Sequence, residues 1–415
     1  MGVTSRVPAL APFGVRSFRF QWPADLATSW AFEMETLILG WYMLVETGSV
    51  VVLAVFGSLQ FLGTLAAPMF GVAGDRIGHR NLLCLMRAAY LALAATLAVL
   101  FISGAATPVT VFVVALLAGT VRPSDLLMRN VLVGETMPPD LLMRAMGVSR
   151  TTMDSARVAG ALAGAGLVAT MGMGPAYIAI CAFYALSLAL TLGVAGGAAR
   201  APAAAPRVSP LRDLRDGLAY IWATPPLRAA MYLAFLVNLT AFPLTGALLA
   251  HVAKDVYHLD QTGLGWLVAS FATGALLGSV ALSVRGATIR PARVMLVSTA
   301  LWFAATIAFA HAGGPLAGCA TLLAAGLVQS LSMVPMAVML LRVVPPAMRG
   351  RVMGVRMLAV YGYPLGLLAA GPLIQRFGFS ATATAYCAIG LAFTLVIALR
   401  WRHALWRVDA TANGR

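Results

Sequence analysis

Twelve apolar runs of about 20 residues each occupy most of this 415-residue chain. A helix of that length is ~30 Å long, which matches the thickness of the hydrocarbon core of a bilayer. The chain is 60% hydrophobic and 10% charged, whereas ~25% of the residues in a soluble domain carry charge. This composition excludes a soluble globular fold. The sequence therefore predicts an all-α integral membrane protein with twelve transmembrane helices.

The runs form two sets of six, separated by the longest polar stretch of the sequence. The first six predicted spans are 23–44, 50–70, 82–102, 109–133, 145–171 and 175–194, and the second six are 227–251, 264–284, 294–311, 316–341, 352–374 and 382–402. Residues 196–226 begin Ala/Pro-rich and continue with apolar residues at helical spacing, which indicates a linker with a short amphipathic helix. We therefore expect six-helix bundles at residues 1–195 and, with the tail, at 227–415.

The two halves of the chain repeat each other. A turn with two prolines, an arginine and a glycine recurs at a constant offset of 207 residues, as Pro138, Pro139, Arg144 and Gly147 and again as Pro345, Pro346, Arg351 and Gly354. Two further glycine pairs keep this offset, namely Gly119 with Gly326 and Gly164 with Gly371. An offset shared over so long a stretch predicts two pseudo-symmetric bundles, related by an axis along the membrane normal.

Basic residues alternate between the connections that join the spans. Arginines lie before span one, after spans two, four, six, eight and ten, and in the tail, whereas the opposite connections carry Lys254 and Arg376. The positive-inside rule then places both termini and the linker in the cytoplasm, and we expect a plasma membrane location in a bacterial inner membrane. Cytoplasmic arginines thus account for the net charge of +15, and no nucleic-acid partner is expected.

Residue patterns for enzyme chemistry are missing from the sequence. The four cysteines each lie alone in an apolar run, without the spacing of a metal or redox site. The chain has no HExxH motif, no paired Cys/His cluster and no phosphate-binding loop. We therefore expect a protein that is not an enzyme and that has no metal and no cofactor.

A short polar segment between the second and third spans carries the most specific motif. It reads Gly71-Val-Ala-Gly-Asp75-Arg76-Ile-Gly78-His79-Arg80. This pattern resembles the loop between helices 2 and 3 of the major facilitator superfamily, with His79 in place of the usual Arg or Lys. Together with the twelve spans, the linker and the repeat, the resemblance covers nearly the whole chain. It implies the major facilitator fold and a secondary transporter that works by alternating access.

Two details refine this resemblance. The Pro-Pro-x-x-x-Arg turns and the Pro-Pro-Leu-Arg228 end of the linker resemble the branch of the bacterial enterobactin and macrolide exporters. Span four, however, has Arg122-Pro-Ser-Asp125 where many proton-coupled members have Arg-x-x-Gln-Gly, and span five lacks the Gly-Pro motif of many antiporters. These departures bear on proton antiport and not on transport.

The resemblance also implies a cytoplasmic gate in the polar segment, at Gly71, Asp75, Arg76, Gly78 and Arg80. In the alternative interpretation, the acid and the arginine simply cap the end of span two. We favour the gate because the glycines allow the close approach that such charge contacts need.

Charged residues inside the spans are concentrated in the first half. Each costs at least ~2.5 kcal/mol at mid-membrane unless it faces a cavity or a partner. Spans four and five each carry an Arg-Asp-Arg stripe on one helix face, at Arg122, Asp125 and Arg129 and at Arg150, Asp154 and Arg157. We expect the two stripes to face each other, with salt bridges between them on the cytoplasmic side.

The candidates for substrate binding and proton coupling are Glu33, Glu35, Arg122, Asp125, Arg157, Asn238 and Gln329. Glu33 and Glu35 are two residues apart on span one and face nearly opposite directions, so we expect one of them to meet Arg122. We favour Glu33 as the coupling carboxylate. A permanent bridge between Glu33 and an arginine is the structural alternative, and Glu35 competes for the coupling role.

The leading prediction is proton-coupled export of a small, partly apolar molecule, drug-like or siderophore-like, by a monomer in the lipid bilayer. The runner-up is uptake or exchange of a small anionic solute, for which Arg122 and Arg157 would be carboxylate or phosphate ligands. A ligand-sensing membrane protein without flux is the third alternative.

Overall fold

The computed structural model describes residues 8–64, 67–195, 210–285, 290–345 and 348–412. These residues form helices and short connections, and they contain no strand. The chain divides into two compact units. Unit 1 comprises Met1–Gly48 and Leu59–Ala205, and unit 2 comprises Ser49–Ser58 and Pro206–Arg415. The predicted division at the linker is thus modified at one place, because a segment of the second span clusters with unit 2.

The first half of the chain contains α1 (Arg16–Thr47), α2 (Val50–Leu59), α3 (Ala67–Ile77), α4 (His79–Ile102), α5 (Pro108–Thr136), α6 (Pro139–Met171) and α7 (Met173–Leu192). Spans one, three, four and five of the prediction each lie within one of these helices, and span six lies within α7 except for its last two residues. Helix α5 begins at a capping box, in which the Thr107 hydroxyl accepts from the backbone N–H of Thr110.

Span two differs from the prediction of one continuous helix over 50–70. It is divided into α2, a 3₁₀ turn at Leu62–Thr64 and α3. The division coincides with a close approach to α5: a Cβ on Gly63 would lie 2.1 Å from the carbonyl oxygen of Thr120, and a Cβ on Gly119 would lie 2.2 Å from that of Leu59. An apolar run does not reveal such a break, because the break arises from tertiary packing.

The second half contains α8 (Pro210–Ala223), α9 (Pro225–Thr240), α10 (Phe242–Thr245), α11 (Leu249–His251), α12 (Gln261–Arg285), α13 (Pro291–Ala310), α14 (Pro315–Val343), α15 (Arg349–Leu358), α16 (Gly362–Phe377) and α17 (Phe379–Ala412). Helix α8 lies where the amphipathic linker helix is predicted, and residues 196–209 of the linker lie outside the described residues. The seventh span, predicted over 227–251, is divided into α9, α10 and α11.

The repeat predicted from the sequence is visible in how glycines pack. Gly119 of α5 lies against the backbone at Leu59, and its counterpart Gly326 of α14 lies against α12, where a Cβ would be 2.0 Å from the carbonyl oxygen of Phe271. Gly274 on α12 makes the matching approach, with a Cβ 2.0 Å from the carbonyl oxygen of Leu323. Small residues therefore let helix backbones approach closely at equivalent positions of both units.

Eight helical segments of the described residues are long and apolar enough to cross a membrane, and one of them, Arg351–Phe377, runs through α15, a 3₁₀ turn at Ala359–Tyr361 and α16. The other four predicted spans correspond to α1 and α6, which carry several charged residues, and to the divided spans α2–α3 and α9–α11. In unit 1, α1 is central, because it packs against α5, α6 and α7. Its buried residues include Phe18, Met34 and Ile38, each fully shielded. The chain is therefore an all-α integral membrane protein.

Candidate functional site

Two helices of unit 1 carry matching stripes of residues. The stripe on α1 has helical spacing and consists of Asp25, Ser29, Phe32 and Thr36, and the stripe on α5 consists of Arg122, Asp125 and Arg129. The two stripes run in opposite directions: Arg129 donates to the Ser29 hydroxyl at 3.0 Å, and Arg122 donates to the Thr36 hydroxyl at 3.0 Å.

Four buried charges form a cluster at the Asp25 end of these stripes. Arg87 of α4 donates to the Asp25 carboxylate and to the Thr191 hydroxyl on α7. Arg129 pairs with Asp125 on its own helix, and its Nε lies 3.7 Å from Asp25 Oδ1. The exposed fractions of Arg87, Asp125 and Arg129 are 0%, 1% and 5%. Two positive and two negative charges thus balance in a site from which most water is excluded.

A small cavity of about 20 Å³ lies beside this cluster, between α1, α5 and α6. Asp25, Ser29 and Arg129 line it together with apolar side chains such as Leu126 and Met153. A cavity of this volume has room for about one water molecule at the edge of the cluster.

Aromatic rings separate the Asp25 cluster from the next polar group along α1. The Phe32 ring has the Arg122 guanidinium carbon 4.2 Å from its centroid and that of Arg129 at 5.7 Å. Tyr90 and Tyr184 pack against the same ring, with centroids 4.9 and 5.9 Å away. The Phe32 ring of α1 therefore makes cation–π contacts with two arginines of α5, Arg122 and Arg129.

Glu35 and Arg122 form the second polar group. Tyr184 of α7 donates to Glu35 Oε2 at 2.9 Å, and Arg122 Nη2 lies 3.7 Å from the same oxygen. Arg122 also donates to the Gln60 side chain at 3.0 Å and to the Phe32 carbonyl at 2.9 Å. Its donors are therefore largely used by unit 1, and Glu35 is held from two sides.

Glu33 lies on another face of α1 and meets α6. Arg157 Nε lies 3.5 Å from Glu33 Oε1, and the side chains of Arg157 and Glu33 are 48% and 32% exposed. Gly160 makes this approach possible, because a Cβ there would lie 2.8 Å from the Glu33 Cβ. As predicted from their spacing, Glu33 and Glu35 diverge, and Glu35 is the one that meets Arg122.

The contacts of the span-four stripe correct one expectation. The stripe of α5 was expected to face that of α6, but Arg122, Asp125 and Arg129 contact α1, Gln60 at the end of α2 and their own helix. Helix α1 offers carboxylates and hydroxyls at matching spacing, so the arginines pair there. On α6, Asp154 is buried, and the Arg150 side chain lies outside the described residues.

Two neutral candidates belong to unit 2. The Asn238 amide donates to the Ala234 carbonyl at 2.8 Å within α9, and Gly362 packs close to its Cβ. Gln329 on α14 is half-buried. Each lies on a helix of the C-terminal bundle.

The polar segment at 71–80 also differs from the loop that was expected. Helix α3 continues to Ile77 and α4 begins at His79, so the connection is Gly78 alone, with φ +87°. That conformation favours glycine. Arg80 donates to the Leu192 carbonyl at the end of α7 at 2.7 Å, and His79 Nδ1 lies 2.8 Å from Glu135 Oε1. Arg76 is exposed; the side chain of Asp75, and the surroundings of Gly71, lie outside the described residues.

Three residues of these groups were not selected from the sequence. Arg87 is a single charge within the third apolar run. A lone arginine in a membrane span needs a partner, and this requirement could have identified it from the sequence. Gln60 and Tyr184 carry no such signal, because polar and aromatic residues are common in membrane helices. The described residues contain no group of three or more His, Cys, Asp or Glu side chains that would hold a metal ion.

Comparison with known proteins agrees with this architecture. Residues 231–413 match the model of the Major Facilitator Superfamily. The structure of the nucleoside transporter NupG is similar with a TM-score of 0.69 at 16% identity, over 94% of this chain and 98% of that one. A bacterial homologue of the human lysosomal transporter Spinster gives 0.71 at 13% identity, over 96% and 98%. At these identities the likeness establishes the fold.

Comparison with proteins of known function found a related efflux pump. The multidrug efflux pump Tap of Mycolicibacterium fortuitum is 29% identical over 174 residues, which are 41% of this chain and 42% of that protein. These findings agree with the resemblance seen in the sequence: the chain has the fold of the major facilitator transporters, and its second half matches the family model.

Proposed function

We propose that this transporter exports a small, partly apolar molecule by alternating access, with protons as the coupling ion. It works as a monomer in a plasma membrane, a bacterial inner membrane, with both termini in the cytoplasm. The likeness to a multidrug efflux pump supports export. The buried charges of unit 1 support coupling to an ion, because charges at membrane depth are costly unless function retains them.

The pair of Glu33 and Arg157 carries the proposal of proton coupling. A coupling carboxylate must reach water in one state and a cation in another. Glu33 meets both conditions, because a third of its side chain is exposed and its contact with Arg157 is long, at 3.5 Å. Glu35, in contrast, is buried and is held by Tyr184 and Arg122. These contacts support Glu33, and not Glu35, as the carboxylate that couples transport to protons.

Proton binding would act through the charge of this pair. A proton on Glu33 removes the attraction between the carboxylate of α1 and the guanidinium of α6. Loss of the proton restores the attraction. A proton that binds one conformation more tightly than another shifts the population between them, which is the thermodynamic requirement for coupling.

Proteoliposomes with an imposed pH gradient test the proposal. A panel of amphipathic fluorescent dyes is offered, and dye flux is followed with the gradient in each direction and after its collapse by a protonophore. We expect dye accumulation that depends on the gradient and stops with the protonophore. Flux that runs equally fast without a gradient would contradict proton coupling, and no flux of any apolar compound would contradict the proposed substrate class.

A second candidate is uptake or exchange of a small anion, and the exposure of Arg157 favours it. Half of that side chain is exposed, so its guanidinium can bind a carboxylate or phosphate in a bidentate way. Arg122 favours it less, because Thr36, Gln60 and the Phe32 carbonyl already accept its hydrogen bonds. Counterflow of a labelled organic anion without a pH gradient, lost in Arg157→Gln, would support this function over the first.

A further inference from the structure

One end of unit 2 presents a row of aromatic rings from three helices. Trp222 lies in the last turn of α8, Tyr232 lies on α9 and Trp401 lies on α17. The ring centroids of Trp222 and Tyr232 are 6.1 Å apart, and those of Tyr232 and Trp401 are 5.7 Å apart. Trp222 and Tyr232 are 56% and 42% exposed. These large rings therefore form an accessible surface.

Two arginines lie beside the same indole ring. The guanidinium carbon of Arg228 is 5.9 Å from the Trp401 ring centroid, and that of Arg400 is 5.8 Å from it. The Arg228 Nε is shielded from solvent and donates to no acceptor in the part of the chain that the structure describes. Two like charges beside one ring repel each other, so an anion placed between them would lower the energy of the arrangement.

The sequence around this surface is basic. Residues 222–232 and 400–407 contain Arg228, Arg400, Arg402 and Arg407 and no acidic residue. We call the surface formed by Trp222, Arg228, Tyr232, Arg400, Trp401 and Arg402 the Trp401 patch. Its composition of arginine with tryptophan and tyrosine is that of side chains at a membrane–water interface.

The patch lies where the apolar surface of α17 ends. Phe393, Leu395, Val396 and Leu399 are 56–61% exposed, and Arg400 follows them directly. The helix then kinks at Trp401, with φ −114° and ψ 15°. Exposed apolar residues at this density face acyl chains, so the arginines that follow lie at the level of the lipid headgroups.

We propose that the Trp401 patch is a binding site for the phosphate headgroup of an anionic phospholipid. Arg228 and Arg400 would bind the phosphate through charge-assisted hydrogen bonds, and the exposed side chains that precede Arg400 on α17 would contact the acyl chains. A phospholipid would contact both parts of this surface, with its phosphate at the arginines and its acyl chains at the apolar side chains of α17. A soluble phosphate would use the arginines alone.

Titration of the detergent-purified protein with phosphatidylglycerol, followed by native mass spectrometry, tests the site. Arg228→Gln/Arg400→Gln removes both charges, and Arg228→Lys/Arg400→Lys keeps them. Arg16→Gln/Arg290→Gln removes two exposed arginines elsewhere and is the matched control. Phosphatidylcholine is the neutral lipid, and inorganic phosphate is the soluble competitor.

We expect a loss of phosphatidylglycerol affinity of roughly five-fold per arginine in the glutamine variant, with the lysine and control variants close to the wild type. Three results would overturn the proposal. These are unchanged phosphatidylglycerol binding in the glutamine variant, equal binding of phosphatidylcholine by the wild type, and displacement of the lipid by inorganic phosphate, which would assign the arginines to a soluble anion.

Discussion

Arg87 on α4 donates to the carboxylate of Asp25 on α1, and both residues are buried in unit 1. The contact joins two helices that lie far apart in the sequence. Because both side chains are buried, neither charge faces the lipid. Because Arg87 uses further donors on the Thr191 hydroxyl and the Ser187 carbonyl of α7, one side chain connects three helices.

Arg87→Met should therefore destabilise the protein strongly. Removal of one partner leaves the Asp25 charge buried, which costs about 3–5 kcal/mol when no other cation is near. Arg129, 3.7 Å from the same carboxylate, should keep the loss near the lower limit. Thermal unfolding of purified protein in detergent measures the effect.

The double variant Asp25→Asn/Arg87→Met provides the control for that measurement. It removes both charges of the pair, so we expect it to unfold at a higher temperature than Arg87→Met alone. Equal unfolding temperatures of the single and double variants would show that the arginine acts through packing and not through its charge.

Gly160→Ala should disturb the pair of Glu33 and Arg157. The added Cβ would lie 2.8 Å from the Glu33 Cβ and 3.3 Å from the Trp30 carbonyl oxygen, so α6 must move away from α1. We expect a destabilisation of about 1–3 kcal/mol and slower gradient-driven transport. Gly166→Ala on the same helix is the matched control, because its Cβ would meet nothing within 4 Å. A transport rate equally unaffected in both variants would contradict the close contact at Gly160.

The stripes of unit 1 show what the sequence alone could predict. Helical spacing places Arg122, Asp125 and Arg129 on one face of α5, and the structure agrees. The partner helix was not predicted, because the rotation of α5 about its axis decides whether the stripe faces Asp25 of α1 or Arg150 of α6, and hydropathy does not report rotation. The breaks in spans two and seven escaped prediction for a related reason: they lie inside continuous apolar runs.

Asp75→Asn should slow transport while substrate binding stays close to the wild type. The residue lies on α3, one turn before the Gly78 connection, in the segment that resembles the gate of the superfamily. Loss of its charge should alter the exchange between conformations and not the substrate site. Binding by scintillation proximity and flux in proteoliposomes separate the two effects. Lost binding with an unaltered rate of exchange would refute the gate.

Topology is open to a labelling experiment on intact cells. In a background without the native cysteines, Val256→Cys lies in the connection that carries Lys254, and Arg212→Cys lies on α8; both positions are exposed. An impermeant maleimide should label position 256 on intact cells and position 212 after permeabilisation, since the positive-inside rule places α8 in the cytoplasm. The reverse pattern would invert the protein in the membrane.

Glu33→Gln should abolish pH-driven transport and retain substrate binding and passive exchange. Glutamine is neutral at every pH and therefore mimics the protonated carboxylate, so the attraction to Arg157 can no longer be switched by a proton. Glu46→Gln, an exposed change near the end of the same helix, controls for the loss of a carboxylate from α1. Glu35→Gln separates the two candidates, because Glu35 is already fixed by Tyr184 and Arg122, so its loss should reduce stability more than coupling. If Glu33→Gln still concentrates substrate against a gradient with the wild-type rate and pH dependence, coupling resides elsewhere.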